Sequence, residues 1–188
     1  MKKTWQLILS GVGGQGLMLA GKLLGSAATG YEGKNAVMTS AYGVETRGTF
    51  AKSDVIVSDE EIDYPEVLKA DVVIALAPVA YRKYAASLDE DTVLIYDNVI
   101  ESMQTKSRQI GFPISKIAGE AGSDVMVNIV SLGILIKLTG IVSEQAVENV
   151  ILEEFQGKEK LTGPNLRALK GGLEAAAGIT ISPRKPII

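Results

Sequence analysis

Residues 5–16 read Trp5-Gln6-Leu7-Ile8-Leu9-Ser10-Gly11-Val12-Gly13-Gly14-Gln15-Gly16. The first half is a short apolar run that stops at glycine, which is typical of a buried β-strand. The residues that follow carry leucine at helical spacing, at Leu17, Leu19, Leu23 and Leu24. A strand, a tight glycine loop and a helix in that order predict the opening unit of an α/β fold.

Two later segments support the same fold class. Val72–Ala77 and Thr92–Tyr96 are continuous aliphatic runs separated by a helical stretch, the pattern of strands buried on both faces of a parallel sheet. We therefore expect an α/β fold with a Rossmann-like, doubly wound, mostly parallel sheet and helices on both faces. No linker or internal repeat divides the chain, so we predict one domain over residues 1–180 and a C-terminal tail over residues 181–188.

Residues 125–139 are almost wholly apolar, and the polar residues that interrupt them are Asn128, Ser131 and Lys137. The run is shorter than the roughly 20 residues that span a bilayer. We expect a helix buried in the core or at a subunit contact. A buried amide needs a hydrogen-bond partner, so we interpret Asn128 as a clamp in that core or interface. Lys137 should keep its charge in water.

Proline and capping residues predict several helix boundaries. Ser143 should begin one helix as its N-cap. Pro65 should open a short helix, and Gly163-Pro164-Asn165 should precede a last helix that runs to about Gly178.

Composition excludes several classes of function. A net charge of −3 and a pI near 5.1 offer no basic face, so we expect neither nucleic acid nor a membrane as a partner. The chain has no cysteine and no histidine, so it can form no disulfide, no thiolate nucleophile and no cysteine-held cluster. We assign no catalytic residue and no metal ligand to it. Residues 1–10 lack a small-residue cleavage site, and we interpret them as the first strand of a cytoplasmic protein.

The glycine loop satisfies G-x-G-x-x-G directly after a strand. Dinucleotide binding would also require an acidic residue about 20 positions on, at the end of the second strand, to hold the ribose. The predicted second strand ends in Met38-Thr39-Ser40-Ala41 without such an acid. Two other interpretations stay open: the glycines serve only packing, or the loop meets a cofactor or partner that another subunit supplies.

A second candidate loop follows that strand, Tyr42-Gly43-Val44-Glu45-Thr46-Arg47-Gly48. Arg47 could pair bidentately with a carboxylate or phosphate, or it could form an ion pair with Glu45. Tyr42 could stack or hydrogen-bond at the same place, or fill a subunit contact. The acidic segment Asp59–Asp63 lacks the ligand spacing of a calcium loop, so we interpret it as a solvated turn.

Three motifs occur in order: the glycine loop of residues 11–16, the loop of residues 42–48, and Val57-Ser58-Asp59-Glu60-Glu61-Ile62-Asp63-Tyr64-Pro65. Together they closely resemble the gamma subunits of the 2-oxoacid:ferredoxin oxidoreductases, above all the 2-oxoglutarate branch. The resemblance covers nearly the whole chain, and its sharp motifs lie in the first 65 residues. The glycine pair that usually follows the arginine is Gly48-Thr49 here.

The resemblance implies a subunit of an enzyme that decarboxylates a 2-oxoacid such as 2-oxoglutarate or pyruvate, reduces ferredoxin and forms an acyl-coenzyme A thioester. It implies alpha and beta subunits that hold thiamine diphosphate and magnesium, and a ferredoxin-like delta subunit with iron–sulfur clusters. It implies that this chain alone holds no cofactor and has no activity, and that it lies near the coenzyme A side of the active site. The isolated chain could form a homodimer.

The residues expected at the composite site or subunit contact belong to the two loops. They are Gly11, Gly13, Gly14, Gln15, Gly16, Tyr42, Glu45, Arg47 and Gly48. The alternatives are a free-standing nucleotide-binding Rossmann protein and a pure scaffold subunit.

Overall fold

The computed structural model describes residues 4–42, 48–179 and 181, and these residues form six strands and six helices. The strands are β1 (Thr4–Val12), β2 (Asn35–Tyr42), β3 (Phe50–Ser58), β4 (Val72–Ala75), β5 (Val93–Asp97) and β6 (Arg108–Phe112). The helices are α1 (Leu17–Tyr31), α2 (Pro78–Ala85), α3 (Ile114–Ala121), α4 (Val127–Thr139), α5 (Glu144–Glu154) and α6 (Glu159–Ala175), with a single 3-10 turn at Asp124–Met126 before α4.

The strands form one sheet in the order β2-β3-β1-β4-β5-β6. Strands β1, β4, β5 and β6 pair in parallel, whereas β3 runs antiparallel to both β1 and β2. Only residues 43–49 separate β2 from β3, and a connection that short joins antiparallel neighbours more readily than parallel ones. The prediction of a mostly parallel sheet is confirmed, with β3 as its one reversed strand among the described residues.

Alternating side chains of the central strands enter two different cores. Val72 and Ile74 of β4 face the larger core, which α1, α3, α4, α5 and α6 cover. Val73 and Ala75 face a smaller core covered by α2. Helices on both faces were predicted and are confirmed. The division of the chain into a domain of residues 1–180 and a tail stays a prediction, although Ile181 is itself buried in the larger core.

Most of the apolar run of residues 125–139 forms α4 (Val127–Thr139) inside the larger core, as predicted, whereas Val125 and Met126 belong to the 3-10 turn before it. Both faces of α4 are buried, and it crosses α6 closely enough that Gly133 and Gly172 lie at the contact. Lys137 stays exposed and donates to Glu144 over 2.7 Å. None of the helices in the described residues has the length and apolar content that a membrane span requires.

Two predicted helix boundaries are wrong and one is confirmed. Pro65 opens no helix, because Gln6 Oε1 accepts from the backbone amides of Leu68 and Lys69 and holds this segment against the end of β1. Helix α6 begins at Glu159 and includes Pro164, and it ends at Ala175 instead of continuing to about residue 178. Ser143 caps α5 as predicted, and its hydroxyl accepts from Ala146 N at 3.2 Å.

Candidate functional site

The candidate site lies where the parallel strands end. The glycine loop follows β1, and β3 begins at the same edge because Phe50 pairs with Val12 in the antiparallel ladder. Gly13 N donates to Thr49 O over 3.0 Å, so the glycine loop contacts the chain directly after the second predicted loop. Open α/β sheets bind ligands outside the carboxyl ends of their strands, which makes this edge the natural place for a site.

Gln15 ties the glycine loop to two strands. Its Oε1 accepts from Val12 N and its Nε2 donates to Leu76 O, each over 2.9 Å. Leu76 follows β4, and its own amide donates to Ser10 O. The side-chain amide that we predicted at a composite site is thus bonded within the chain.

Gly11 and Gly16 are explained by packing inside the chain. A Cβ at Gly11 would lie 2.2 Å from Gln15 Oε1, and one at Gly16 would lie 2.4 Å from Asn128 Nδ2. Gly16 also has φ +69, a left-handed conformation that glycine adopts without steric cost. These two positions favour the packing interpretation of the motif.

Gly14 differs from these two glycines. Its φ is +100, and a Cβ built there would meet no other atom within 4 Å. The backbone at Gly14 is therefore open to an approaching group. This position favours a loop that meets another molecule.

Asn128 is the core clamp that the sequence predicted. It is 4% exposed, and its Nδ2 donates to Gly16 O over 3.0 Å. Gly16 O also accepts from Ala20 N in the first turn of α1. The glycine loop is thereby fixed to the beginning of α4 as well as to β3 and β4.

A cleft of about 270 Å³ opens beside the glycine loop. Its lining is apolar side chain and glycine backbone, from Val12, Gly13, Gly14, Gly16, Leu17, Met18 and Ala51. Met18 is 48% exposed at its mouth. This apolar lining suits an uncharged group, whereas the beginning of α1, which has no side-chain cap and no acidic residue in its first turn, favours an anion.

The second loop is described only at its ends. Gly48 is exposed with φ +78, and Tyr42 ends β2. Glu45, Arg47 and the side chain of Tyr42 lie outside the described part of the structure, so the roles assigned to them stay predictions.

The dinucleotide interpretation fails on topology as well as on sequence. In the Rossmann site the acid that holds the ribose ends the strand beside β1. Here antiparallel β3 separates β2 from β1, so the end of β2 does not adjoin the glycine loop.

The titratable side chains of the described residues are mostly separate from this edge. No group of three or more acids that could hold a metal ion is found among them. The acidic segment is solvated as predicted, and Asp59 lies 3.6 Å from Lys34 Nζ. Burial raises the pKa of Tyr84 to about 12, with a smaller contribution from Asp54, but Tyr84 packs in the smaller core.

One part of this edge was not foreseen from the sequence. Asp97 ends β5, is buried, and accepts from Ser115 N over 3.0 Å at the beginning of α3. Val99 follows it and is 73% exposed beside a groove of about 440 Å³ against Pro78 and Arg82 of α2. The sequence contained a signal for this part of the edge, because the polar residue Asp97 directly follows the aliphatic run Thr92–Tyr96.

Comparison with known proteins agrees with this fold. Residues 6–175 match the sequence profile of the family described as pyruvate ferredoxin/flavodoxin oxidoreductase. The chain belongs to this family.

Members of the pyruvate ferredoxin/flavodoxin oxidoreductase family match over nearly the full chain. The 2-oxoglutarate synthase subunit KorC of Methanocaldococcus jannaschii is 40% identical over 182 residues, which cover 94% of this chain and 96% of that protein. The gamma subunit of a keto/oxoacid ferredoxin oxidoreductase from Geobacter sulfurreducens superposes with a TM-score of 0.80 at 35% identity, covering 93% of this chain and 99% of that one. The predicted resemblance to gamma subunits is confirmed.

A larger oxidoreductase shares the fold. The 2-oxoglutarate:ferredoxin oxidoreductase of Magnetococcus marinus, solved with 2-oxoglutarate, coenzyme A and succinyl-CoA bound, superposes with a TM-score of 0.87 at 23% identity. The match covers 98% of this chain and 34% of that one. This fold therefore also occurs as one part of a longer chain.

Proposed function

We propose that this chain is the gamma subunit of a 2-oxoglutarate:ferredoxin oxidoreductase. The observation that carries the proposal is the 40% identity to a 2-oxoglutarate synthase subunit over nearly the full length of both proteins. Such an enzyme decarboxylates the 2-oxoacid, transfers two electrons to ferredoxin and releases the acyl group as a coenzyme A thioester. Pyruvate is the alternative substrate class.

The chemistry of the chain supports a non-catalytic role within that enzyme. Iron–sulfur clusters require cysteine thiolates in most proteins, and this chain has no cysteine. The clusters therefore belong to another subunit. The proposal assigns them to a ferredoxin-like delta subunit, and it assigns thiamine diphosphate and magnesium to the alpha and beta subunits. The proposal places the complex in the cytoplasm.

Exposed apolar side chains support contact with those subunits at the carboxyl edge. Met18 lines the cleft beside Gly14, Val79 opens α2, Val99 follows β5, and Val125, which is 66% exposed, precedes α4. Apolar side chains gathered at one edge mark an interaction surface more often than scattered ones do. Left uncovered, this edge could also pair two isolated chains as a homodimer.

The apolar cleft beside the glycine loop suits the uncharged arm of coenzyme A. The cleft has an apolar lining, the amides of Gly13 and Gln15 are bonded inside the chain, and the backbone at Gly14 is open. These features support a composite site in which this chain closes one side around coenzyme A while the partner subunits carry the reacting groups.

A reconstitution tests the proposal. The isolated chain should show no turnover, and adding the partner subunits should produce coenzyme A-dependent, 2-oxoglutarate-driven reduction of a viologen dye. Comparing 2-oxoglutarate with pyruvate in the same assay decides the substrate class. Turnover by the chain alone, or purification from its native source without thiamine-binding and iron–sulfur subunits, would contradict the proposal.

A pure scaffold role is the second candidate, because Gly11 and Gly16 have packing explanations within the chain. Activity titrations with coenzyme A separate the two candidates. A scaffold lets Met18→Gln, a change at the exposed mouth of the cleft, assemble with unchanged KM for coenzyme A, whereas a contacting edge raises that KM. Neither candidate binds NAD(P) or FAD.

A further inference from the structure

One side chain, Gln15, uses both ends of its amide to hold the glycine loop. The Oε1 bond to Val12 N closes the turn, and the Nε2 bond to Leu76 O spans 61 positions to the residue after β4. The loop conformation is therefore set by the end of a neighbouring strand and not by the loop sequence alone.

Gly11 lies directly against the side chain of Gln15. The 2.2 Å separation between a Cβ at Gly11 and Gln15 Oε1 leaves no room for any other residue while the amide stays in place. The first glycine of the motif thus makes room for Gln15.

Two further bonds fix the remainder of the loop. Gly13 N donates to Thr49 O, and Asn128 Nδ2 donates to Gly16 O. Between these fixed points lies Gly14, with its open backbone at φ +100. Gln15 directly follows Gly14, so its two side-chain hydrogen bonds fix the position and direction of the Gly14 backbone.

We propose that Gln15 is a positioning residue: it contacts no substrate, and it holds the glycine loop so that Gly13 and Gly14 complete the coenzyme A side of the composite site. This inference rests on the proposed function. Gln15 acts through the loop backbone, so its loss changes the binding of coenzyme A more than the chemistry on the partner subunits.

The test uses the reconstituted complex with Gln15→Met, which keeps the side-chain length and removes both bonds. Gln15→Glu is the second variant: it keeps an acceptor for Val12 N, but it replaces the donor to Leu76 O with a carboxylate oxygen that the carbonyl repels. Gln6→Met is the matched control. Gln6 lies at the opposite end of β1, where its amide accepts from Leu68 N and Lys69 N over 2.8 and 3.2 Å.

Gln15→Met should raise the KM for coenzyme A on the order of five-fold, the range expected from losing one or two hydrogen bonds. The kcat and the KM for 2-oxoglutarate should change by less than about two-fold, and Gln15→Glu should raise the KM for coenzyme A at least as much as Gln15→Met does. Gln6→Met should lower thermal stability to a similar extent and leave every KM unchanged. Amide exchange at Val12 should accelerate in Gln15→Met and not in Gln6→Met.

An unchanged KM for coenzyme A in an assembled Gln15→Met complex would overturn the inference, as would an equal change in Gln6→Met. Failure of both Gln15 variants to assemble would also overturn it, because that result shows a purely structural role. A wild-type complex without coenzyme A-dependent activity would instead contradict the proposed function, and Val12 amide exchange would still test the clamp.

Discussion

Asn128 Nδ2 donates to the carbonyl oxygen of Gly16 over 3.0 Å, although the two residues are 112 positions apart in the chain. The bond joins the beginning of α4, deep in the larger core, to the last residue of the glycine loop. The edge proposed to meet the partner subunits is therefore anchored in the most buried helix of the molecule.

Replacing Gly16 by alanine should destabilise the chain strongly. A left-handed backbone costs a residue with Cβ about 1–2 kcal/mol, and the 2.4 Å approach to Asn128 Nδ2 adds overpacking of about 1–3 kcal/mol. Urea unfolding of Gly16→Ala should reveal a loss of roughly that sum. Gly30→Ala is the control, because Gly30 lies in α1 with open space around it and should gain about 0.5–1 kcal/mol. Equal stability of the two variants would show that the loop adapts.

The crossing of α4 and α6 should tolerate no added methyl group. A Cβ at Gly172 would lie 2.1 Å from Val130 O, which is backbone and cannot rotate away. Gly172→Ala should therefore cost about 1–3 kcal/mol and lower Tm by several degrees in a thermal melt. Gly163→Ala in the same helix meets only the end of Arg167 at 3.5 Å and should not lower Tm. Similar melting of both variants would contradict the close crossing.

Tyr84 should make stability fall at alkaline pH. Burial raises its pKa to about 12, so the folded state keeps the phenol protonated where the unfolded chain, with its pKa near 10, releases the proton. The stability contribution is present below about pH 10 and is lost as the pH rises towards 12. Urea unfolding across that window should show a steeper decline for wild type than for Tyr84→Phe. Parallel curves would contradict the raised pKa.

Glu32 should contribute stability that acid removes. Its Oε1 accepts from Ser143 N over 2.9 Å at the start of α5, and hydrogen bonding to Ser143 holds the Glu32 pKa below its ordinary value. A depressed pKa stabilises the fold above the unfolded pKa of about 4.3 and loses that effect as pH falls through the folded value. The stability difference between wild type and Glu32→Gln should therefore shrink as the pH falls below about 4.3 and through the lower pKa of the folded state.

Carboxyl NMR titration of Glu32 provides a direct check, and an ordinary titration midpoint would contradict the assignment.

The sequence predicted where strands lie along the chain, but it did not predict which strands are neighbours in the sheet. The aliphatic runs around Val72 and Thr92 placed β4 and β5 correctly, because both faces of these strands are buried. The insertion of β3 between β2 and β1 could not be read from its weak alternation, since local pattern carries no information on which strand pairs with it. Pro164 inside α6 was missed for a similar reason: Thr162 Oγ1 donates to Phe155 O and fixes the preceding turn through a contact outside the helix.

By itself the sequence determined what depends on composition and local order: a strand, loop and helix at residues 5–31, an α/β class, no cysteine or histidine chemistry, and the family motif. Only the tertiary structure decided what each glycine of that motif faces. Gly11 meets Gln15, Gly16 meets Asn128, and Gly14 meets nothing. The reason is physical, since contacts such as Gln15 to Leu76 and Asn128 to Gly16 join positions 61 and 112 apart, and only the folded chain brings them within hydrogen-bonding distance.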